Sequence, residues 1–168
     1  MNRKEWKIPY SQPDCPPALC QAGYHPLLAA VLALRGVRTP EQARQMLQGG
    51  MDCLHDPLTM TGMSVAVARV RQAIRLGETV AVYGDYDVDG ITATCLVTDY
   101  LRSKGLRCLP YIPDRSGEGY GLNRSALDTL YHQGVRLVIT VDCGITAVAE
   151  TDYARCLGLD MIITDHHE

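Results

Sequence analysis

The chain has 168 residues, of which 46% are hydrophobic, 21% charged and 6% aromatic, a balance that excludes a disordered, collagenous or membrane-spanning chain. At this length a fold can bury roughly 70% of the surface its unfolded form exposes. The net charge of -3 excludes a strongly basic nucleic-acid clamp, so a polyanionic substrate would need local positive charge or bound cations. In chain order, residues 1–25 carry Pro9, Pro13, Pro16 and Pro17 with little periodicity and read as an irregular lead. Residues 26–35 predict a short helix stopped by Gly36. Thr39-Pro40-Glu41-Gln42 then offers an N-cap, a proline at the first helical position and a capping-box Gln, with the helix ending at Gly49-Gly50. A third helix, Val65 to Leu76, places Val67, Val70 and Ile74 on one face and stops at Gly77.

From residue 79 the rhythm changes. Thr79–Tyr83, Arg107–Ile112, Arg136–Val141 and Asp160–Thr164 are short apolar or β-branched runs. Between them lie helical patterns at Thr92–Lys104, Asn123–Gln133 and Thr146–Leu157, each opened by Thr or Asn and closed by glycine. Strand and helix alternating at this spacing predict βαβ units, hence an α/β fold with a parallel sheet and helices on both faces. Continuous runs such as Val80-Ala81-Val82-Tyr83 suit strands covered on both sides. The expected division is a small helical N-terminal extension over 1–77 and an α/β domain over 78–168. Seven cysteines in an odd, irregular set without a Cys-x-x-Cys pair predict reduced thiols rather than a disulfide framework. The longest apolar run, Pro26 to Leu34, is too short for a bilayer, and it follows a polar, proline-rich lead of 25 residues that does not resemble a signal peptide's short basic n-region. A cytoplasmic location and no membrane partner are expected.

The informative pattern is positional. Asp85, Asp87 and Asp89 follow the first strand, Asp142 ends the third, and Asp165-His166-His167 follow the fourth. In an open parallel sheet the loops at the carboxyl ends of the strands converge on one crevice. Carboxylates and imidazoles gathered there need a positive charge between them, and an oxygen-and-imidazole set without thiolate favours Mn²⁺ or Mg²⁺. A locally extended Asp87-Val88-Asp89 would turn both carboxylates to one side, toward two ions of the kind that hydrolyse phosphoesters. Two other motifs fit less well. Asp85-x-Asp87-x-Asp89-Gly90 opens like a calcium-binding EF-hand loop, but its twelfth position is Leu96 rather than Glu and a strand precedes it. A haloacid-dehalogenase-type nucleophile would directly end the strand, whereas Gly84-Asp85-Tyr86 stand between the strand and Asp87.

These residues carry a family resemblance. Tyr83-Gly84-Asp85-Tyr86-Asp87-Val88-Asp89-Gly90, Thr140-Val141-Asp142-Cys143-Gly144 and Thr164-Asp165-His166-His167-Glu168 resemble the ordered motifs of the DHH phosphoesterase superfamily. Pro113-Asp114-Arg115-Ser116-Gly117-Glu118-Gly119-Tyr120-Gly121-Leu122-Asn123 is similar to the glycine-rich loop of its RecJ-type branch. The resemblance implies a 5′-to-3′ exonuclease on single-stranded DNA, using two Mn²⁺ or Mg²⁺ ions in DNA repair and recombination. It implies Asp87 and Asp89 on one ion each, Asp142 bridging both, and His166 as a further ligand. His167 would contact the scissile phosphate, and Asp85 would hold a ligand or a metal-bound water. Tyr83 stands where some members have a metal-binding His. Arg115, Gly119 and Tyr120 are expected along the substrate path, the Arg for phosphate and the Tyr for base stacking.

The resemblance also implies a further ligating Asp, a linker and a second domain beyond Glu168, so this chain is expected to be the front part of such a nuclease, with little activity alone. Expected partners are single-stranded DNA and a single-strand-binding protein or helicase, with a monomeric state. The alternatives are another DHH-type phosphoesterase, acting on short oligonucleotides, cyclic dinucleotides or pyrophosphate, and an inactive metal- or partner-binding segment.

Overall fold

The computed structural model describes residues 15–114 and 121–167, which separate into two compact units, one ending at Thr59 and the other beginning at Met60. The first unit contains three helices, α1 (Pro17–Gln21), α2 (Pro26–Leu34) and α3 (Pro40–Gln48), around a small core of Leu19, Ala29, Leu32 and Ala43. Helix α3 starts where its sequence says it should. Thr39 Oγ1 accepts from Gln42 N (3.3 Å), and Gln42 Oε1 accepts from Thr39 N (3.2 Å), so two of the N–H groups a helix start leaves open are satisfied reciprocally. Cys15 and Cys20, expected as thiols, are joined by a disulfide, whereas Cys53, Cys95, Cys108, Cys143 and Cys156 are free.

The second unit alternates helix and strand: α4 (Met63–Leu76), β1 (Thr79–Gly84), α5 (Val88–Ser103), β2 (Arg107–Tyr111), α6 (Arg124–His132), β3 (Val135–Val141), α7 (Val148–Leu157) and β4 (Asp160–Thr164). The four strands form one parallel sheet in the order β2-β1-β3-β4. Alternate residues of β1 feed two cores. Val80 and Val82 pack with Ala73 of α4 and Leu101 of α5, while Ala81 and Tyr83 pack with Leu127 and Leu130 of α6 and Ala154 of α7. Helices therefore cover both faces, and the continuous apolar runs follow from it. Crossovers of one handedness require this: the chain steps outward from β1 to β2 and then back over β1 to β3, so α5 and α6 fall on opposite faces. Pro110 breaks no ladder because β2 is an edge strand. Helix α4, grouped by sequence with the N-terminal extension, sends Ala73 into the core beneath β1 and β3. Among the described residues, no helix is long and apolar enough to cross a membrane.

Three helix starts differ from expectation. Helix α4 begins at Met63 rather than Val65. Helix α5 begins at Val88 rather than Thr92 because Asp87 caps it, its Oδ1 accepting from Asp89 N and Gly90 N at 3.0 Å each. The Asp87-Val88-Asp89 segment is thus a cap and first turn rather than an extended run, and the Thr92 hydroxyl bonds back to Val88 O at 2.8 Å. Helix α7 starts at Val148 with no side-chain cap, since Thr146 belongs to the turn before it.

The start of α5 lies against the end of β1 so closely that two glycines are obligatory. A Cβ on Gly90 would sit 2.6 Å from Asp85 N, and one on Gly84 would sit 2.8 Å from Gly90 O. The clash is with backbone and cannot be relieved by a rotamer change. Gly90→Ala is expected to destabilise the fold by about 1–3 kcal/mol, measured by urea denaturation; a midpoint unchanged from the parent would show that this junction is looser than described.

Candidate functional site

The sheet order puts a topological switch between β1 and β3, where chain direction reverses and a crevice opens. Gly84 of β1 pairs with Val141 of β3, and Val141 pairs with Thr164 of β4. The next residue on each strand is an aspartate, so Asp85, Asp142 and Asp165 form a row across three adjacent strand ends. The bond from Asp142 N to Thr164 O (3.1 Å) carries the ladder up to that row. All three are withdrawn from water: Asp85 is 3% exposed, Asp142 is 9% exposed and the Asp165 side chain is 2% exposed. Buried carboxylates side by side are unfavourable unless each finds donors or a cation.

Two of the three are provided for by protein groups. Asp85 Oδ1 accepts from Tyr86 N at 2.7 Å. Asp165 Oδ2 accepts from Ile145 N (3.0 Å), and its Oδ1 accepts from His167 N (3.0 Å) and lies 2.7 Å from His167 Nδ1. Burial would push the Asp165 carboxyl up, but the N–H groups of Ile145, His167 and His166 and the His167 ring outweigh it and hold the group down at about 2. Asp142 differs. Neither of its buried carboxylate oxygens has a hydrogen-bond partner, although His166 Nε2 makes an ion-pair contact with Oδ1 at 2.8 Å. Its backbone sits at φ 61, and it is the single non-glycine residue with positive φ among those described. Aspartate tolerates that region better than most residues, and such strain concentrates at functional sites.

Asp142, His166 and His167 bring ligand atoms within 4.8 Å of one another. The two imidazoles lie 4.4 Å apart, tilted by 37°, and both are open to solvent, with side-chain exposures of 71% and 46%. The His167 pKa is raised, first by its bond to Asp165 and further by the charges of Asp165, Asp142 and Asp87. Asp87, exposed at the α5 cap, is therefore within electrostatic reach of the cluster. Asp89 is exposed on the first turn of α5 at the same sheet edge, and neither it nor Asp87 joins the close three-residue cluster. Asp85 is close enough to influence Cys143, whose thiol is pushed up to about 12 by burial and then by the charges of Asp165, Asp85 and Asp142.

Tyr83, compared above with a ligating His, is fully buried and serves the loop instead. Its hydroxyl donates to Gly121 O (2.8 Å) and accepts from Asn123 Nδ2 (3.2 Å), and its ring stacks on Tyr111 at 5.1 Å. Arg115, Gly119 and Tyr120 lie outside the described residues. The residue that sequence reasoning left without a role is Asp165. Its signal was available: an aspartate directly after a strand and two residues before a histidine.

Residues 79–168 match the DHH family, N-terminal domain. The fold and the motif residues at its strand ends are those of that class: the chain belongs to the DHH family. It is 42% identical over 168 residues to the single-stranded-DNA-specific exonuclease RecJ of Bacillus subtilis, covering 99% of this chain and 21% of the relative. It is 36% identical over 143 residues to RecJ of Escherichia coli, covering 84% and 24%. Among solved structures it resembles RecJ from Thermus thermophilus in complex with Mn²⁺ (29% identity, 90% of this chain, 20% of that chain, TM-score 0.63). It also resembles an exonuclease RecJ bound to manganese (36% identity, 68% of this chain, 30% of that chain, TM-score 0.62). The chain spans between a fifth and a quarter of the length of these two sequence relatives.

Cys143 follows Asp142 directly, yet its sulfur is turned into the core, 3.8 Å from Tyr83 O. With its pKa near 12 it should resist alkylation by iodoacetamide at pH 8 in the folded protein, while exposed Cys53, Cys95 and Cys156 react. Peptide mass spectrometry of native and urea-unfolded samples reads this out; modification of Cys143 in the native sample would mean that its pocket opens.

Proposed function

We propose that this chain carries the DHH part of a metal-dependent exonuclease that hydrolyses single-stranded DNA from the 5′ end, with Mn²⁺ or Mg²⁺ as cofactor. The observation that carries the reading is Asp142: a buried carboxylate with no well-formed hydrogen bond, in a strained backbone conformation, with His166 Nε2 at 2.8 Å. A divalent cation is the partner such a group lacks. The donor set fits a hard ion, because it offers carboxylate oxygen and imidazole nitrogen and its nearest thiol points away. The relatives described as single-stranded-DNA-specific exonucleases and the manganese complexes support the substrate and the cofactor.

In this reading Asp142 and His166 hold the ions together with Asp87 and Asp89. Asp87 spends Oδ1 on the α5 cap and keeps Oδ2 for a ligand. Asp85, buried and fixed by Tyr86 N, orients this edge, and His167 faces the scissile phosphate. The chemistry a pair of such ions supplies when bound is activation of a water and stabilisation of the leaving oxygen. The chain's part is to fix the donors rigidly: Gly84 and Gly90 seat the cap against β1, and the paired ends of β1, β3 and β4 set the spacing of the row. Arg115, Gly119 and Tyr120 complete the proposal as contacts to the strand, with Tyr83 holding the loop's far end at Gly121. A role in DNA repair and recombination, a cytoplasmic location, a monomeric state and a single-strand-binding protein or helicase as partner belong to the same proposal.

The metal reading has a test that needs no turnover. Asp142→Asn keeps the shape and tolerates positive φ while removing a buried carboxylate whose oxygens lack hydrogen-bond donors. It should raise Tm in EDTA and erase the rise in Tm that Mn²⁺ gives the parent; an undiminished Mn²⁺-dependent shift would remove Asp142 from the ligand set.

The nuclease reading is tested on full-length protein with oligonucleotides labelled at either end. Mn²⁺-dependent release of product from the 5′ end of single strands, with duplex spared, is expected. Asp142→Ala should abolish it, and Cys143→Ala should reduce it only mildly. Degradation from the 3′ end, or hydrolysis confined to dinucleotides or pyrophosphate, would replace this reading with another phosphoesterase activity.

A further inference from the structure

We propose that Asp165 is a positioning residue that commits His167 Nδ1 as a hydrogen-bond donor, so that His167 meets the substrate through Nε2 alone. The argument is geometric. The Asp165 side chain is 2% exposed and is gripped from two sides, by Ile145 N on Oδ2 and by His167 N on Oδ1. It therefore cannot rotate without losing a backbone partner. His167 Nδ1 lies 2.7 Å from that fixed Oδ1, and a carboxylate oxygen can only accept, so Nδ1 carries the proton. A histidine nitrogen's state is set by the bond the other nitrogen makes. With Nδ1 committed, Nε2 is the one ring atom left to act, and the ring's 46% side-chain exposure gives it access to solvent.

The arrangement also separates the two adjacent histidines. His166 directs Nε2 at Asp142 (2.8 Å), whereas His167 Nδ1 is 4.0 Å from the same oxygen and is turned to Asp165. The three motif residues then divide into an anchor, a ligand and a substrate-facing group. That His167 faces a phosphate rests on the function proposed above. That Asp165 fixes its tautomer does not.

The protein contains its own reference signals for the test. His25 Nδ1 accepts from Leu27 N at 3.3 Å, which places its proton on Nε2. His132 Nδ1 lies 2.7 Å from Asp128 O, a carbonyl that can only accept, which places its proton on Nδ1. Long-range ¹H–¹⁵N correlation spectra of ¹⁵N-histidine-labelled, metal-free protein, recorded where the rings are neutral and assigned with His167→Gln, should show His167 in the His132 pattern. Asp165→Ala should move it to the His25 pattern, with circular dichroism confirming the fold. A parent spectrum with His167 in the His25 pattern overturns the proposal without any variant, and so does an Asp165→Ala spectrum unchanged from the parent. In the full-length nuclease, Asp165→Ala should lower kcat by roughly 10- to 100-fold and add nothing on a His167→Ala background. A further loss of the same size in that background would show that Asp165 does not act through His167 and would overturn the positioning role even if the tautomer result stood.

Discussion

Three carboxylates are withdrawn from water at the ends of three neighbouring strands, and most of the second unit can be read as the means of holding them there. Asp85, Asp142 and Asp165 occupy one row because β1, β3 and β4 are paired in register up to Gly84, Val141 and Thr164. Burying carboxylates side by side costs free energy unless donors or a cation replace the lost water. The chain offsets that cost at two positions with backbone N–H groups, from Tyr86 to Asp85 and from Ile145 and His167 to Asp165. At the central position it leaves the cost standing. A fold selected for stability alone would place an apolar residue at 142; a buried carboxylate without donors, at positive φ, is the kind of feature that concentrates at functional sites.

The sheet supplies rigidity of a kind loops cannot. Strand ends in a covered parallel sheet move little, because Val80 and Val82 on one face and Ala81 and Tyr83 on the other are fully buried under helices. The α5 cap adds a second fixed element. Gly90 can approach the Asp85 backbone only because it has no side chain, and Asp87, through its cap bonds, ties its own position to the helix N-terminus. The partial positive charge of that N-terminus steadies the carboxylates of Asp87 and Asp89 in the first turn. The site is therefore anionic by composition but bounded by N–H donors, which suits cations first and a phosphate only after them.

How far these features were legible depended on whether they were local. The helix and strand alternation, the capping box at Thr39 and the position of Asp142 at a strand end follow from short-range patterns, and the structure contains them. The start of α5 did not follow, because Thr92 and Asp87 are both good caps by composition. What decides between them is the pair of cap bonds that Asp87 accepts from Asp89 N and Gly90 N, with Gly90 lying against the Asp85 backbone. Helix α4 was grouped with the N-terminal extension because its own helical signals say nothing of the sheet against which Ala73 packs. Tyr83 could be matched to a ligand position by alignment of motifs, yet its hydroxyl is taken by Gly121 and Asn123, some 40 residues away. No short-range pattern encodes that pairing.

Asp165 shows the remaining gap most clearly. In the sequence it is one acid among 19, next to two histidines that draw attention to themselves as ligands. Its place after a strand and two residues before a histidine is visible in the sequence, but what fixes it is Ile145, twenty residues earlier and on another connection, which donates to one of its oxygens. That bond links the turn after β3 to the turn after β4 and fixes the carboxylate before the histidine ring meets it. The order of dependence runs from sheet register to buried carboxylate to imidazole. Residues that present chemistry to solvent, His166 and His167, are thus held by groups that never reach it. Changes at those hidden groups should alter function while the exposed histidines stay in place.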